Sequence, residues 1–285
     1  MKKILLEFAG MPFIINTYDD EIAGWLAEHF SDKQAENVSV AEKASGIEIQ
    51  IEADSVLTAV NHHQYLVQPP DVSFNDGVLI FKHPCYKGTL SLAGGKGKVW
   101  FAGREFLVSY LRTVATVSIV NCGGLALHSS CILRNGRTYI FTGYSGAGKS
   151  TIIKLTENPL IYSDEVTLLK KNQNGIFSIH HSPFRSEFYS KYLPPTSYIA
   201  GIFFIRQDSR VFLEDIPVKK ALFEILPMVF FPINKTQQFE NKIFNHCADL
   251  LNQVPVFNLH FRKDGTFWDC IEKNLRKEGK WNETI

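Results

Sequence analysis

The residues best suited to chemistry lie in one stretch near the middle of this 285-residue chain, Gly143-Tyr144-Ser145-Gly146-Ala147-Gly148-Lys149-Ser150-Thr151. The stretch matches the pattern GxxxxGK[ST] at every fixed position, and its glycines allow consecutive backbone N–H groups to turn towards a phosphate. Lys149 would place a positive charge on the outer phosphates, and Ser150 would offer a hydroxyl to Mg²⁺. An apolar run at residues 138–142 predicts the strand that must precede such a loop, and residues 150–155 predict the helix that must follow. The pattern therefore predicts a site for ATP and Mg²⁺ in this phosphate loop (P-loop).

Acidic residues downstream of the P-loop could complete a reaction site. Asp164 and Glu165 follow a short apolar run, residues 160–162. In phosphoryl transfer one carboxylate holds Mg²⁺, and a second orients or deprotonates the attacking hydroxyl. Alone, the pair would be interpreted as an ordinary acidic turn, but in a chain with a P-loop we favour the catalytic interpretation. Further along, Arg185 is a candidate to neutralise phosphate charge and Glu187 a candidate metal ligand, although a surface ion pair explains these two residues equally well.

The composition excludes several classes of protein. Hydrophobic residues make up 45% and charged residues 21% of the chain, as in ordinary globular proteins. A net charge of +1 without a basic cluster argues against nucleic acid or an anionic membrane surface as partners. The five cysteines are odd in number and form no CxxC pair, which favours reduced thiols. Because no run reaches the ~20 apolar residues of a membrane span, we expect a cytoplasmic protein.

The first part of the chain, residues 1–118, is predicted to be a sheet-rich α+β module. The apolar spacing predicts helices at residues 20–30 and 104–120. Short runs predict strands, which we expect to pair antiparallel, at residues 4–8, 13–16, 46–53, 65–67, 78–81, 89–92 and 98–101. The segment Gly94-Gly95-Lys96-Gly97-Lys98 lacks the strand-loop-helix setting of a phosphate site, so we predict that it closes a hairpin. No Pro/Ser/Gln-rich linker follows, and we therefore expect this module to pack against the rest of the chain.

The second part, residues 119–285, is predicted to hold the nucleotide site. Residues 125–133 predict a strand that carries His128, and Asn135-Gly136 predicts a tight turn into the strand before the P-loop. Beyond the acidic pair, the sequence patterns predict a scaffold without assigned chemistry. They predict strands at 200–206, 210–213 and 256–261, and helices at 218–231, with an interruption near Pro227, at 235–252 and at 266–277.

Several motifs together resemble the HPr kinase/phosphorylase-like P-loop kinases, which are akin to the ATP-dependent phosphoenolpyruvate carboxykinases. They are Leu127-His128-Ser129-Ser130, then Gly136, then the run from Phe141 through the P-loop, and then Tyr162-Ser163-Asp164-Glu165. The similarity is closest to the shorter HPr-kinase-related proteins, which carry a leader histidine, an SGAGKST loop and an SDE motif. It is specific over residues 124–188 and diffuse elsewhere. The resemblance implies an α/β P-loop kinase domain of the HPr kinase/PEP carboxykinase type, with the sheet-rich amino-terminal module packed against it.

The resemblance also implies roles for individual residues. In the family the leader histidine lies next to the catalytic acid, so His128 would orient or electrostatically tune Glu165. Asp164 matches the first acid of the family motif, and Glu165 matches the second, which acts as the general base. HPr kinases carry aspartate at this second position, and the longer glutamate still permits base chemistry. Because the downstream signature of true HPr kinases does not align with this chain, the resemblance does not imply HPr as the acceptor.

From these features we expect an ATP- and Mg²⁺-dependent kinase. The hydroxyl acceptor, a serine of a peptide or protein, comes from the resemblance and not from the spacing of residues. Two other functions stay open: a nucleotide-binding regulatory or assembly protein without transfer, and an ATPase. The acidic pair speaks against the first, since binding alone requires no base. The sequence is compatible with a homo-oligomer.

Overall fold

The protein is described by a computed structural model that covers residues 1–30, 46–54, 57, 68–184, 187–188, 190, 193–231 and 237–277. The described residues form a mixed α/β structure with two large mixed sheets and six α-helices. The chain divides into two compact units, Met1–Asn121 with Phe231–Glu240, and Cys122–Phe230 with Asn241–Ile285. The strand predicted at residues 65–67 lies outside the described residues.

The first unit contains a seven-stranded sheet with the order β1-β2-β3-β7-β6-β5-β4. Strand β3 pairs parallel with both of its neighbours, β2 and β7, so the expectation of an antiparallel sheet was wrong. Parallel neighbours need a long crossover, which the chain provides by placing α1 between β2 and β3 and three strands between β3 and β7. The elements are β1 (Lys2–Phe8), β2 (Met11–Thr17), α1 (Asp20–His29), β3 (Ile47–Ala53), β4 (Asp71–Asn75), β5 (Val78–His83), β6 (Tyr86–Ser91), β7 (Lys96–Phe101) and α2 (Arg104–Asn121).

The second unit contains an eight-stranded sheet, whose main path is β12-β11-β8-β9-β13-β15-β14, with β10 paired to β8. Strand β13 lies parallel to both β9 and β15, and the other pairs are antiparallel. The strands are β8 (Gly124–Arg134), β9 (Arg137–Thr142), β10 (Leu160–Ser163), β11 (Val166–Lys171), β12 (Phe177–His180), β13 (Ile199–Gln207), β14 (Phe212–Asp215) and β15 (Val256–Phe261). The helices are α3 (Lys149–Lys154), α4 (Val218–Ile225), α5 (Gln237–Gln253) and α6 (Phe267–Lys277), of which α5 begins in residues of the first unit.

Two helices and the central strands enclose one apolar core in the second unit. Ile152 and Ile153 of α3 belong to the same buried cluster as Phe267 and Trp268 of α6 and the inward residues of β9, β13 and β15. Trp268 also donates its indole N–H to Thr156 Oγ1 at 3.0 Å, just beyond α3. The short helix that follows the P-loop is therefore held by packing and not by its own length.

Three strands of the fold, β4, β11 and β12, were not predicted from the sequence. The interruption expected near Pro227 is confirmed, since α4 ends at Ile225 and a 3-10 turn, Leu226–Met228, follows, but the helix does not resume between this turn and residue 231. Pro227 has no N–H to donate, so a regular helix cannot continue through it without losing a hydrogen bond.

Candidate active site

The P-loop lies between β9 and α3, in the strand-loop-helix setting that the motif requires. Strand β9 is central in its sheet, with β8 on one side and β13 on the other. At the end of β9, Thr142 Oγ1 donates to the carbonyl of His128 at 3.1 Å, which joins the strand end to β8. The loop therefore begins at a fixed point of the sheet.

Three glycines of the loop adopt backbone angles that other residues avoid. Gly146 has φ +80° and Gly148 has φ +119°, and the third glycine, Gly143, has φ +156°. At Gly148 space is also limiting, since a β-carbon would lie 2.7 Å from a ring carbon of Phe261 at the end of β15. The strand β15 thus packs directly against the turn that opens α3.

Lys149 is folded into the loop itself. Its ammonium donates to the carbonyls of Gly143 at 2.8 Å and Tyr144 at 3.4 Å, and the residue is only 9% exposed. Burial lowers the pKa of Lys149 from its usual value, and the nearby charge of Glu165 acts in the opposite direction. The ammonium is thus a buried charge whose partners in the loop are neutral carbonyls, a setting in which a phosphate oxygen would be a stronger partner.

The acidic pair lies at a break in the strand that borders β8. Strands β10 and β11 both pair with β8, through Ser163↔Cys131 and Val166↔His128, and the register shifts within β10. Asp164 and Glu165 occupy the interval between these two strands. Because the Glu165 carbonyl accepts from the N–H of Ser129 at 3.1 Å, the break stays attached to β8.

Hydrogen bonds among buried hydroxyl groups join the strands on either side of the break between β10 and β11. Ser163 Oγ and Thr167 Oγ1 lie 2.5 Å apart, and Ser129 Oγ donates to Thr167 Oγ1 at 2.7 Å. The three residues flank the acidic pair in sequence or in the sheet and are all buried. They satisfy one another within the sheet, so the irregular segment costs little in unpaired polar groups.

The Asp164 carboxylate is buried and fixed in orientation. It is 7% exposed, and its Oδ2 accepts the N–H groups of Glu187 at 2.6 Å and Phe188 at 2.7 Å. The side chain of Glu187 instead approaches Lys154 Nζ at 3.1 Å. Glu187 therefore contributes its backbone to the position of Asp164, while its carboxylate forms an ion pair with a helix lysine. Arg185 lies outside the described residues.

His128 projects from β8 into the same region. Burial lowers the pKa of His128 most, the charge of Lys149 lowers it further, and a hydrogen bond to the backbone carbonyl of Glu165 acts in the opposite direction. The imidazole is therefore neutral at pH 7. Its contact is with the backbone of Glu165, so it fixes the segment that carries this acid.

The P-loop and the acidic segment line one cavity of about 310 Å³. The residues around it come from β8, the loop, α3 and the break between β10 and β11: His128, Ser145, Gly146, Gly148, Lys149, Ser150, Thr151, Asp164 and Glu165. Of the other loop residues, Gly143 is buried, Ala147 packs against the core of the unit, and the Tyr144 side chain is 67% exposed. The structure thus brings together most of the residues singled out in the sequence.

The donor atoms in this cavity suit Mg²⁺ bound together with phosphates. Ser150 and Asp164 both line the cavity and offer a hydroxyl and a carboxylate, which are hard oxygen ligands. Among the described residues, no group of three or more His, Cys, Asp or Glu side chains could hold a metal alone. Mg²⁺ in nucleotide sites is usually held by one or two carboxylates plus phosphate oxygens and water, which fits this donor set.

One residue that contacts the P-loop was missed in the sequence. Gln207, the last residue of β13, donates its side-chain amide to the carbonyls of Gly146 at 2.9 Å and Ala147 at 3.3 Å. Nothing in the sequence marks this glutamine, since its position depends on β13 lying parallel beside β9. Thr167 was also missed, and Ser163 was noted only as part of the SDE motif. Both look like ordinary strand residues until the break between β10 and β11 is known.

Comparison with known proteins gives no match, either among protein-family models or among curated proteins. Within the described part of the chain, no helix has the length and apolar character needed to cross a membrane.

Proposed function

We propose that this protein is a kinase that uses ATP and Mg²⁺ to phosphorylate a hydroxyl, that of a serine in a peptide or protein. One observation carries the proposal: the P-loop and the acidic pair, which follow different strands, line the same cavity. Binding of Mg-ATP alone would need one carboxylate for the metal but no second carboxylate to act as a base. The proposal also treats the chain as a relative of the HPr kinase-like proteins that its motifs resemble.

Donor binding would fall to the P-loop. Backbone N–H groups of residues 143–151 would surround the β- and γ-phosphates, and Lys149 would exchange its two loop carbonyls for phosphate oxygens. Ser150 and Asp164 would hold Mg²⁺, which supplies neutralising charge at the phosphates. Since two backbone N–H groups fix Asp164, its carboxylate needs little reorganisation to serve this role.

Transfer would depend on Glu165 as the general base. The acceptor hydroxyl gives its proton to the Glu165 carboxylate while its oxygen forms a bond to the γ-phosphorus. The bond from that phosphorus to the β,γ-bridging oxygen breaks, and its electron pair leaves with ADP. Neutral His128 holds the backbone of Glu165 and so keeps this carboxylate at the cavity.

The proposal is tested by incubating the purified protein with γ-³²P-labelled ATP, Mg²⁺ and a library of peptides with serine at a fixed position and randomised flanks. We expect label in phosphoserine. Binding of ATP without label in any serine peptide would contradict the kinase and leave a regulatory protein. Label that appears only as free phosphate would contradict it in favour of an ATPase.

A further inference from the structure

The side chain of Gln207 supports the turn of the P-loop from outside the motif. Strand β13 pairs parallel with β9 through Phe204↔Thr142, so β13 continues for three residues past the point where β9 ends. The last of these, Gln207, reaches the loop with its amide, and Asp208 anchors the strand end by donating its N–H to the Phe261 carbonyl at 3.0 Å.

Each carbonyl that Gln207 holds shares its peptide unit with the N–H of the next residue, Ala147 or Gly148. In a trans peptide the C=O and N–H point in opposite directions, so fixing one fixes the other. The N–H of Ala147 already donates to the Tyr144 carbonyl at 3.0 Å. The next N–H, that of Gly148, lies in the peptide whose Ala147 carbonyl accepts from Gln207, and Gly148 lines the cavity.

We propose that Gln207 is a positioning residue for phosphate binding, which holds the Gly146 and Ala147 carbonyls outward so that the Gly148 N–H faces the cavity. This inference rests on the proposed function, because it names the phosphates of ATP as the ligand. Gln207 itself contacts no phosphate. It acts before the ligand arrives, since the oriented N–H then requires no reorganisation on binding.

Replacement of Gln207 by methionine tests the role, because methionine has similar length but no amide donor. Isothermal titration of Mg-ATP should show affinity reduced by about fivefold to thirtyfold, the effect of one to two neutral hydrogen bonds. Gln207→Glu, which removes the donors and adds negative charge, should reduce affinity further. Gln238→Met, at an exposed site on α5, is the matched control and should bind as the wild type does.

A second readout separates positioning from general loosening of the fold. The Gly148 amide signal in ¹H–¹⁵N spectra should move strongly when Mg-ATP is added to the wild type and much less in Gln207→Met. The unfolding temperature of the free variant should match that of the wild type. If Gln207→Met binds Mg-ATP as tightly as the wild type, or loses affinity only together with stability, the inference is overturned. If the wild type itself does not bind Mg-ATP, the proposed function fails first.

Discussion

Residues 94–98 and residues 143–151 both combine glycines with lysine, but they use these residues in different ways. In the first segment Gly97 lies against its neighbours in the sheet, where a β-carbon would come within 2.8 Å of the Thr89 carbonyl oxygen. In the second, Gly148 shapes a turn at φ +119° that lines a cavity. The hairpin predicted for residues 94–98 is confirmed by the antiparallel pairing of β6 with β7.

The lysines differ in the same manner. The side chain of Lys98 is partly exposed. Its Nζ lies 2.9 Å from Oε1 of Glu52 and 4.7 Å from the centroid of the Trp100 ring. Lys149 is buried on loop carbonyls. Glycine and lysine therefore do not make a phosphate site by composition. The strand and helix around the loop, and the acids across the cavity, distinguish the second segment from the first.

The largest expected difference concerns the acids. Glu165→Gln should lower phosphoryl transfer by about 10²–10⁴-fold, the usual contribution of a general base, and leave Mg-ATP binding intact. Glu52→Gln, which changes the acid beside Lys98, should leave transfer unchanged. Single-turnover rates with γ-labelled ATP and separate binding titrations measure the two effects. Loss of binding in Glu165→Gln would show that this residue holds the donor and is not the base.

The next difference concerns the lysines. Lys149→Met should weaken Mg-ATP binding by about tenfold to hundredfold, because it removes charge-assisted hydrogen bonds to phosphate. Lys98→Met should have no effect on binding, since its ammonium pairs with Glu52. Titration calorimetry compares the two variants. If Lys149→Met and Lys98→Met bound Mg-ATP with equal affinity, the claim that only residues 143–151 bind phosphate would be contradicted.

The glycines should differ in function but not in stability. Both Gly148→Ala and Gly97→Ala should lower the free energy of unfolding by about 1–3 kcal/mol, because each new methyl group meets atoms packed closer than van der Waals contact. Only Gly148→Ala should also weaken Mg-ATP binding. Urea denaturation and binding titration on both variants check this, and a Gly97→Ala protein that is stable but cannot bind ATP would contradict the account.

The smallest expected effect is a pH dependence of the free energy of unfolding, caused by His128, which lines the cavity together with the P-loop. Burial lowers the pKa of His128 in the folded protein from its ordinary value of about 6.5, so just below pH 6.5 the unfolded chain binds more protons than the folded one. Stability should therefore fall as pH drops below about 6.5. His128→Asn should lose less stability over this interval than the wild type, as measured by urea denaturation at about pH 7 and about pH 5.5. Identical pH slopes would contradict a lowered pKa.

The sequence could predict those parts of the site that depend on local pattern. The P-loop has fixed spacing and flanking elements, and both the strand and the helix around it are confirmed. The break at Asp164 and Glu165 could not be foreseen, because it arises where β10 and β11 share the edge of β8. Gln207 depends likewise on which strand lies beside β9, and such long-range pairing leaves no periodic signal.

The wrong prediction for the sheet of the first unit has a similar cause. The parallel pairing of β3 depends on crossover connections, which alternation of apolar residues does not reveal. The segment Phe231–Glu240 belongs to the first compact unit although the chain has already passed through most of the second. A single domain boundary along the sequence cannot describe a unit that is made of two separate segments of the chain.

The most direct test of the central claim is a crystal structure with Mg²⁺ and a non-hydrolysable ATP analogue. We expect the β- and γ-phosphates to lie inside residues 143–151, the metal to contact Ser150 and Asp164, and the γ-phosphate to face the Glu165 carboxylate. A triphosphate bound outside this cavity, or one whose γ-phosphate points away from Glu165, would contradict the claim.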